Sequence, residues 1–327
     1  MPLPRHLATT TACGVLALAG LAACTSSTPE SGKPTVVVGF YPQQFLVERI
    51  AGDLVELTNL ARPGAEPHDM ELSPQAVVAL TEADLAIYQS GLQPAVDDAI
   101  ANEAPAHRLD LLEHVPTLIE ASAEGDGHDH GGEDHGDEHD EHAHDEHDGE
   151  EAGHDGHQVD PHIWLDLPNM AAMGQAIADQ LAQIDPPNAD TYQQRAADLA
   201  ATLSALDGDY AAELAQCARH EFVTTHTAFG YLAAAYGLEQ VSLTGLSPDE
   251  VPSAKRLYEA AEYAADHGVT TIFYETDGDP GYAETIADEV GASTEMLSPL
   301  EVAPTDGDYL SEMSANVTKL HAALGCH

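Results

Sequence analysis

Basic residues are scarce. The chain of 327 residues carries 10 Lys and Arg against 57 Asp and Glu, a formal net charge of -47. That balance argues against nucleic acid or an anionic lipid surface as a partner, and favours attraction of cations. The acidity is not local, because residues 124–157 hold only 15 of the 57 acids. Aromatics are also few, at 5%, while Ala is abundant, which points to helices packed through small side chains. No His-Glu-x-x-His pair, no nucleophile elbow and no separate acid–base pair stands out. Their absence counts against a zinc hydrolase, the main enzymatic alternative for a histidine-rich chain. Beyond the N-terminal segment, no apolar run is long enough to cross a bilayer.

The N-terminal segment reads as a targeting signal. Arg5 and His6 precede an apolar run from Ala12 to Ala23, too short for a mature spanning helix and suited to a signal-peptide core. Its end, Leu21-Ala22-Ala23-Cys24, resembles a lipobox. Residues 1–23 are therefore expected to be a lipoprotein signal peptide, with Cys24 lipidated and residues 24–34 forming a flexible tether of Ser, Thr, Pro and Gly. Such a protein would be exported and lipid-anchored at the outer face of the bacterial cell membrane. The chain has four cysteines. With Cys13 in the signal and Cys24 lipidated, Cys217 and Cys326 remain. Two thiols in an exported protein are expected to pair; free thiols or metal ligation are the alternatives.

The remaining length can bury a large core and suggests two domains. Short β-branched runs alternate with amphipathic stretches. Strands are read at 35–40, 54–58, 83–88 and, more weakly, 115–119, with helices at 44–51, 74–82 and 92–103. After 168–184 comes a long helix from 189 to about 215, with Tyr192, Leu199, Leu203, Leu206, Tyr210 and Leu214 on one face. The second half repeats the pattern, with strands at 221–225, 239–243, 270–274 and 293–297 and helices at 228–236, 252–267, 281–290 and 309–324. The fold class is α/β: two lobes, each a small, mostly parallel sheet flanked by helices, joined by a long rigid helix. The expected boundaries are 35–186 for the N-terminal lobe, 187–217 for the linking helix and 218–327 for the C-terminal lobe.

Between His128 and His157 lie nine histidines: His128, His130, His135, His139, His142, His144, His147, His154 and His157. They are spaced among Asp, Glu and Gly in a stretch, 124–157, with almost no apolar side chains. Such a stretch cannot offset the cost of ordering, so it is expected to be a disordered loop. Its imidazoles and carboxylates suit loose, plural binding of transition ions. It runs into the compact segment Asp160-Pro161-His162-Ile163-Trp164-Leu165-Asp166. Ligands of α/β proteins collect beyond the C-terminal ends of strands. His68 and His226 follow strands, His162 lies just past the tract, and Glu275 and Asp279 follow the strand 270–274. Three imidazoles and a carboxylate suit tetrahedral Zn(II), whereas manganese prefers more oxygen.

Five stretches also carry a resemblance: Gly64-Ala65-Glu66-Pro67-His68-Asp69, Asp160 to Asp166, Thr225-His226-Thr227-Ala228-Phe229-Gly230-Tyr231-Leu232, Gly245-Leu246-Ser247-Pro248, and Ile272-Phe273-Tyr274-Glu275. Together they resemble the metal-binding substrate-binding lipoproteins of zinc and manganese ABC transporters, in the family's order and over nearly all of the mature chain. The resemblance implies two α/β lobes with metal held between them by His68, His162 and His226. A histidine at the third position resembles the zinc branch, as does the His-rich tract. For the fourth ligand it points to Asp279, with Glu275 as the alternative; other members use a water or another acid. The implied partners are a cognate ABC permease and its ATPase, with the protein acting as a monomer.

Overall fold

The computed structural model describes residues 32–103, 107–121, 159–275 and 280–327. Cys24, the His-rich tract and Asp279 lie outside the described residues. Two four-stranded parallel sheets organise the chain. The first contains β1 (Thr35–Val38), β2 (Glu56–Asn59), β3 (Leu85–Tyr88) and β4 (Arg108–Asp110), in the order β2-β1-β3-β4. The second contains β5 (Glu221–Thr224), β6 (Glu239–Ser242), β7 (Thr271–Tyr274) and β8 (Ser293–Met296), in the order β6-β5-β7-β8. The two lobes therefore repeat one topology.

The central strands β1 and β3 read as apolar runs because both their faces are covered, whereas the edge strands β2 and β8 alternate exposed and half-buried residues. Successive side chains point to opposite faces. In β1, Val36 and Val38 join a large central core, while Val37 joins a smaller outer cluster with Leu80, Ala86, Val96 and Ile100. That cluster includes residues of α2 (Pro74–Glu82) and α3 (Pro94–Glu103). In the second lobe, Phe222 and Phe273 face the central core, while Val223 and Ile272 face α7 (Ala254–Asp266) and α8 (Gly281–Val290). The central core holds Val36 and Leu85 from one sheet together with Phe222, Phe273 and Leu297 from the other lobe. The two lobes share one hydrophobic interior.

The centre of that interior is helical. α4 (Leu167–Ile184) packs against α5 (Ala189–Glu213). At 1.5 Å per residue, the 25 residues of α5 span about 37 Å. Its buried stripe is Tyr192, Ala196, Leu199, Leu203, Leu206 and Tyr210. α5 touches α1 (Tyr41–Ile50) of the first lobe and α9 (Tyr309–Leu324) of the second. Arg195 Nη1 donates to the Ala51 carbonyl at 2.8 Å, and Tyr210 donates its hydroxyl to the Met313 carbonyl at 2.7 Å. The remaining helix, α6 (Gly230–Tyr236), follows β5.

Helix starts follow local chemistry. Ser73, ahead of Pro74, accepts from Ala76 N, and Asp308 forms a capping box with Ser311. One strand is displaced from its sequence-based position. The segment 115–119 is not a strand; the fourth strand of the first sheet is Arg108–Asp110. Pro116 interrupts the run, and polar side chains hold its backbone instead. Thr117 N donates to Asn169 Oδ1 at 3.0 Å, and Ile119 N donates to the Tyr231 hydroxyl at 3.2 Å. Cys217 and Cys326 form a disulfide, joining the chain just after α5 to the end of α9. Among the described residues, no helix is long and apolar enough to cross a membrane.

Candidate metal centre

Four donors converge at the seam of the lobes: His68, His162, His226 and Glu301, with one ligand atom from each lying within 4.8 Å of the others. His68 comes from the loop after β2, and His226 follows β5 by two residues. His162 immediately precedes a 3-10 turn, Ile163–Leu165, that leads into α4. Glu301 lies in the loop after β8. One oxygen, Oε1 of Glu301, sits 3.4 Å from His68 Nε2, 3.3 Å from His162 Nε2 and 3.4 Å from His226 Nε2. His162 and His226 are fully buried and Glu301 is 4% exposed, while His68 is 9% exposed. The Nε2 atoms of His162 and His226 are buried without an aligned hydrogen-bond partner. Buried imidazole nitrogens are rarely left that way, and two aimed at one carboxylate oxygen fit a cation between them.

The opposite edges of two rings are held by carboxylates. Asp160 Oδ1 accepts from the His162 backbone at 2.9 Å and lies 2.8 Å from His162 Nδ1. Glu275 accepts from the His226 backbone through Oε1 at 3.1 Å, and its Oε2 pairs with His226 Nδ1. A carboxylate at Nδ1 keeps the proton there and leaves the Nε2 lone pair facing the centre. His68 has a lighter mount: its backbone N–H donates to Glu66 Oε1 at 2.8 Å.

Below this arrangement lies a rigid floor. Trp164 donates Nε1–H to the Pro299 carbonyl at 2.7 Å, and Tyr309 donates to the Trp164 carbonyl at 2.6 Å. Asn316 brackets Ser298, accepting from its N–H at 3.1 Å and donating to its carbonyl at 2.7 Å. Leu300 then takes φ 60°, the one left-handed non-glycine among the described residues, and Glu301 follows it. Strained backbone of this kind persists where the surroundings over-determine it, and it clusters at functional sites.

The charges are mutually adjusted. Burial alone would lower the His226 pKa, but the Glu275 charge and hydrogen bond, reinforced by Glu301, raise it to about 10. His162 follows the same pattern: burial lowers it, while Asp160 and Glu301 raise it more, and the net shift is upward. Burial would raise Glu301, yet the three imidazoles facing it hold it well below the usual carboxylate range.

The three histidines named from sequence are thus brought together. Asp279 lies outside the described residues, and Glu275 turns its carboxylate to the Nδ1 edge of His226, away from the convergent nitrogens. Glu301 was missed by sequence reasoning. The rule that drew attention to Glu275 also applies to it, since Glu301 follows a strand, but four intervening residues, Leu297-Ser298-Pro299-Leu300, hide the connection. A cavity of about 570 Å³ between α7 and α8 holds none of these donors. Another, of about 280 Å³ and lined by Arg62, Pro63 and Glu301, opens beside them.

Two parallel α/β lobes around a shared helical core, with a buried donor cluster at their seam, are the build of a solute-binding protein. Residues 36–323 match the family described as ZnuA, zinc-uptake complex component A, periplasmic, and the chain belongs to that family. It is 34% identical over 285 residues to the high-affinity zinc uptake system protein ZnuA of Bacillus subtilis, covering 84% of this chain and 81% of that one. It is 32% identical over 309 residues to the zinc-binding lipoprotein AdcA of Streptococcus pneumoniae, covering 92% of this chain. The chain spans 58% of the length of that relative. Among solved structures, Zn(II)-bound AdcA from Streptococcus pneumoniae superposes with a TM-score of 0.70 at 29% identity, covering 90% of this chain and 58% of that one. The laminin-binding protein Lmb of Streptococcus agalactiae, described as having adhesin and metal-transporting activity, gives a TM-score of 0.74 at 28% identity, covering 90% and 100%.

Proposed function

We propose that the chain is the extracytoplasmic Zn(II)-binding component of an ABC importer, and that His68, His162, His226 and Glu301 hold the ion between the lobes. The observation that carries this reading is the convergence of three imidazole nitrogens on one carboxylate oxygen, two of those nitrogens being buried and unpartnered. Three nitrogens and one oxygen suit tetrahedral zinc better than manganese. Four protein donors complete the tetrahedron and leave no position for a reacting water, so the site binds and does not catalyse. Delivery to a permease with its ATPase follows from the family.

The tract at 124–157 is proposed as an accessory metal collector, and Asp160 as the start of the separate buried site. Cys24 is proposed to carry a lipid that holds the protein, as a monomer, at the outer face of the membrane. Because the lobes share one hydrophobic core, the ion enters through local loop movement in preference to a wide rotation of the lobes.

Zinc titration against a competing chelator tests the proposal, coupled to growth under zinc limitation. The intact chain is expected to hold one tight ion and to support growth of cells otherwise lacking it. His162→Ala is expected to lose both. A tight site that persists in His162→Ala would overturn the assignment.

A further inference from the structure

The ring of His162 is oriented by Asp160, and Asp160 is itself held from the opposite lobe. Gly230 and Tyr231 open α6, the helix that follows β5 and His226. The Tyr231 hydroxyl donates to the Asp160 carbonyl at 2.9 Å and accepts from Ile119 N at 3.2 Å. It thereby ties Ile119 to Asp160, whose backbone N also donates to the Ile119 carbonyl at 3.0 Å. Tyr231 is 1% exposed and Asp160 is 2% exposed, so neither bond competes with water.

Gly230 acts by what it lacks. A Cβ at this position would lie 2.8 Å from Asp160 Oδ2 and 3.0 Å from Ile119 Cδ1. Its backbone is not in the left-handed region, so conformational freedom does not require glycine here; the approach of the carboxylate does. The atom that would have to give way is the end of the Asp160 side chain, whose other oxygen binds both the backbone N–H and Nδ1 of His162. Any added methyl group therefore acts on the ring of His162 through Asp160.

Resting on the site proposed above, we infer that Gly230 and Tyr231 are positioning residues for His162, acting across the seam through Asp160. The stretch Thr225 to Leu232 then has two tasks. It supplies His226 directly, and four and five residues later it sets the direction of a histidine carried by the other lobe. A lobe whose α6 is out of place would lose His226 and misaim His162 together, which couples assembly of the site to the packing of the two lobes.

The test uses the full chain with Gly230→Ala, Asp160→Ala and the double variant, each titrated with Zn(II) against a chelator. Loss of a side chain that orients a ligand typically costs about 10–100-fold in metal affinity. Gly230→Ala is expected to weaken zinc by about tenfold and to change the visible spectrum of the Co(II)-substituted protein. In the Asp160→Ala background it is expected to add nothing further, because its effect travels through that carboxylate. Equal losses from Gly230→Ala with and without Asp160, or an unchanged affinity and Co(II) spectrum, would overturn the inference. Tyr231→Phe supplies the second variant should Gly230→Ala fail to fold: it is expected to weaken zinc more than its effect on metal-free thermal stability explains, and an effect on stability alone would overturn the inference. His162→Ala separates the two readings. If it keeps the tight site, the site assignment fails; if it loses the site while Gly230→Ala and Tyr231→Phe bind normally, only the positioning inference fails.

Discussion

The two lobes have the same strand order, β2-β1-β3-β4 and β6-β5-β7-β8, and use it differently. In each, the first and third strands in sequence lie side by side at the centre, where strand order reverses and α/β proteins favour ligands. In the C-terminal lobe those strand ends carry chemistry: β5 leads to His226, and β7 leads to Glu275, which pairs with it. In the N-terminal lobe the matching ends carry Gly39, which is hydrogen-bonded by the buried amides of Gln43 and Gln93, and Gln89, which donates to the Pro161 carbonyl. That lobe draws its ligands from elsewhere, His68 from the loop after β2 and His162 from the segment before α4. Topology offers the position; the residue placed there decides whether it binds or only packs.

The contrast is sharpest between His226, whose Nδ1 is held by a buried carboxylate, and His68, whose Nδ1 is not, and substitutions can break it. The largest effect is expected from His226→Ala. It removes a ligand and leaves the buried Glu275 without its partner, so tight zinc binding is lost and the metal-free protein is destabilised by about 3–5 kcal/mol. His68→Ala is expected to lose tight zinc with a smaller change in metal-free stability, because no carboxylate is buried against its Nδ1. Chelator competition and thermal unfolding of the two metal-free variants measure the difference; equal destabilisation would erase the asymmetry.

The C-terminal lobe is also the one closed by a disulfide. Cys217 and Cys326 are 109 residues apart in sequence. On the chain-entropy account, a closed loop of this length contributes about 4–5 kcal/mol. Cys326→Ser is expected to lower denaturant stability by that order while zinc affinity stays close to that of the intact chain. Next in size, Glu275→Gln keeps a hydrogen-bonding side chain but removes the charge at His226 Nδ1, and is expected to weaken zinc by about 10–100-fold.

The pH response sharpens the same contrast. The His226 pKa lies above its ordinary value of 6.5, at about 10. The pairing therefore stabilises the metal-free protein fully below about pH 6.5, and this contribution is lost as pH rises through about 10. Zinc requires Nε2 of the same ring bare, so binding to the doubly protonated imidazole displaces a proton, and affinity rises across that window by about tenfold per pH unit for each proton released. Metal-free stability and zinc affinity should run in opposite directions with pH, a trend that calorimetry in buffers of different ionisation enthalpy can follow.

Much of this was legible in the sequence because local chemistry and tertiary role agree. Ser73-Pro74 marks a helix start, and the stripe Tyr192 to Tyr210 marks a long central helix; both appear where the pattern places them. His68, His162 and His226 are legible as strand-end or motif histidines. The segment 115–119 misleads because its backbone partners are side chains, Asn169 and Tyr231, that lie 52 and 112 residues away. Glu301 is illegible for a related reason. Its placement depends on Asn316 and Trp164 fixing Ser298 and Pro299, and on Leu300 turning left-handed, none of which leaves a periodic or compositional mark.

The central claim is that one buried site of three imidazoles and one carboxylate exists apart from the histidine-rich tract. X-ray absorption at the zinc edge, on the chain lacking residues 124–157 and loaded with one equivalent of Zn(II), tests it most directly. Retention of one tight ion is expected, with three nitrogen donors and one oxygen donor at about 2.0–2.2 Å. Loss of tight binding on deletion of the tract, or a shell with a different donor set, would contradict it.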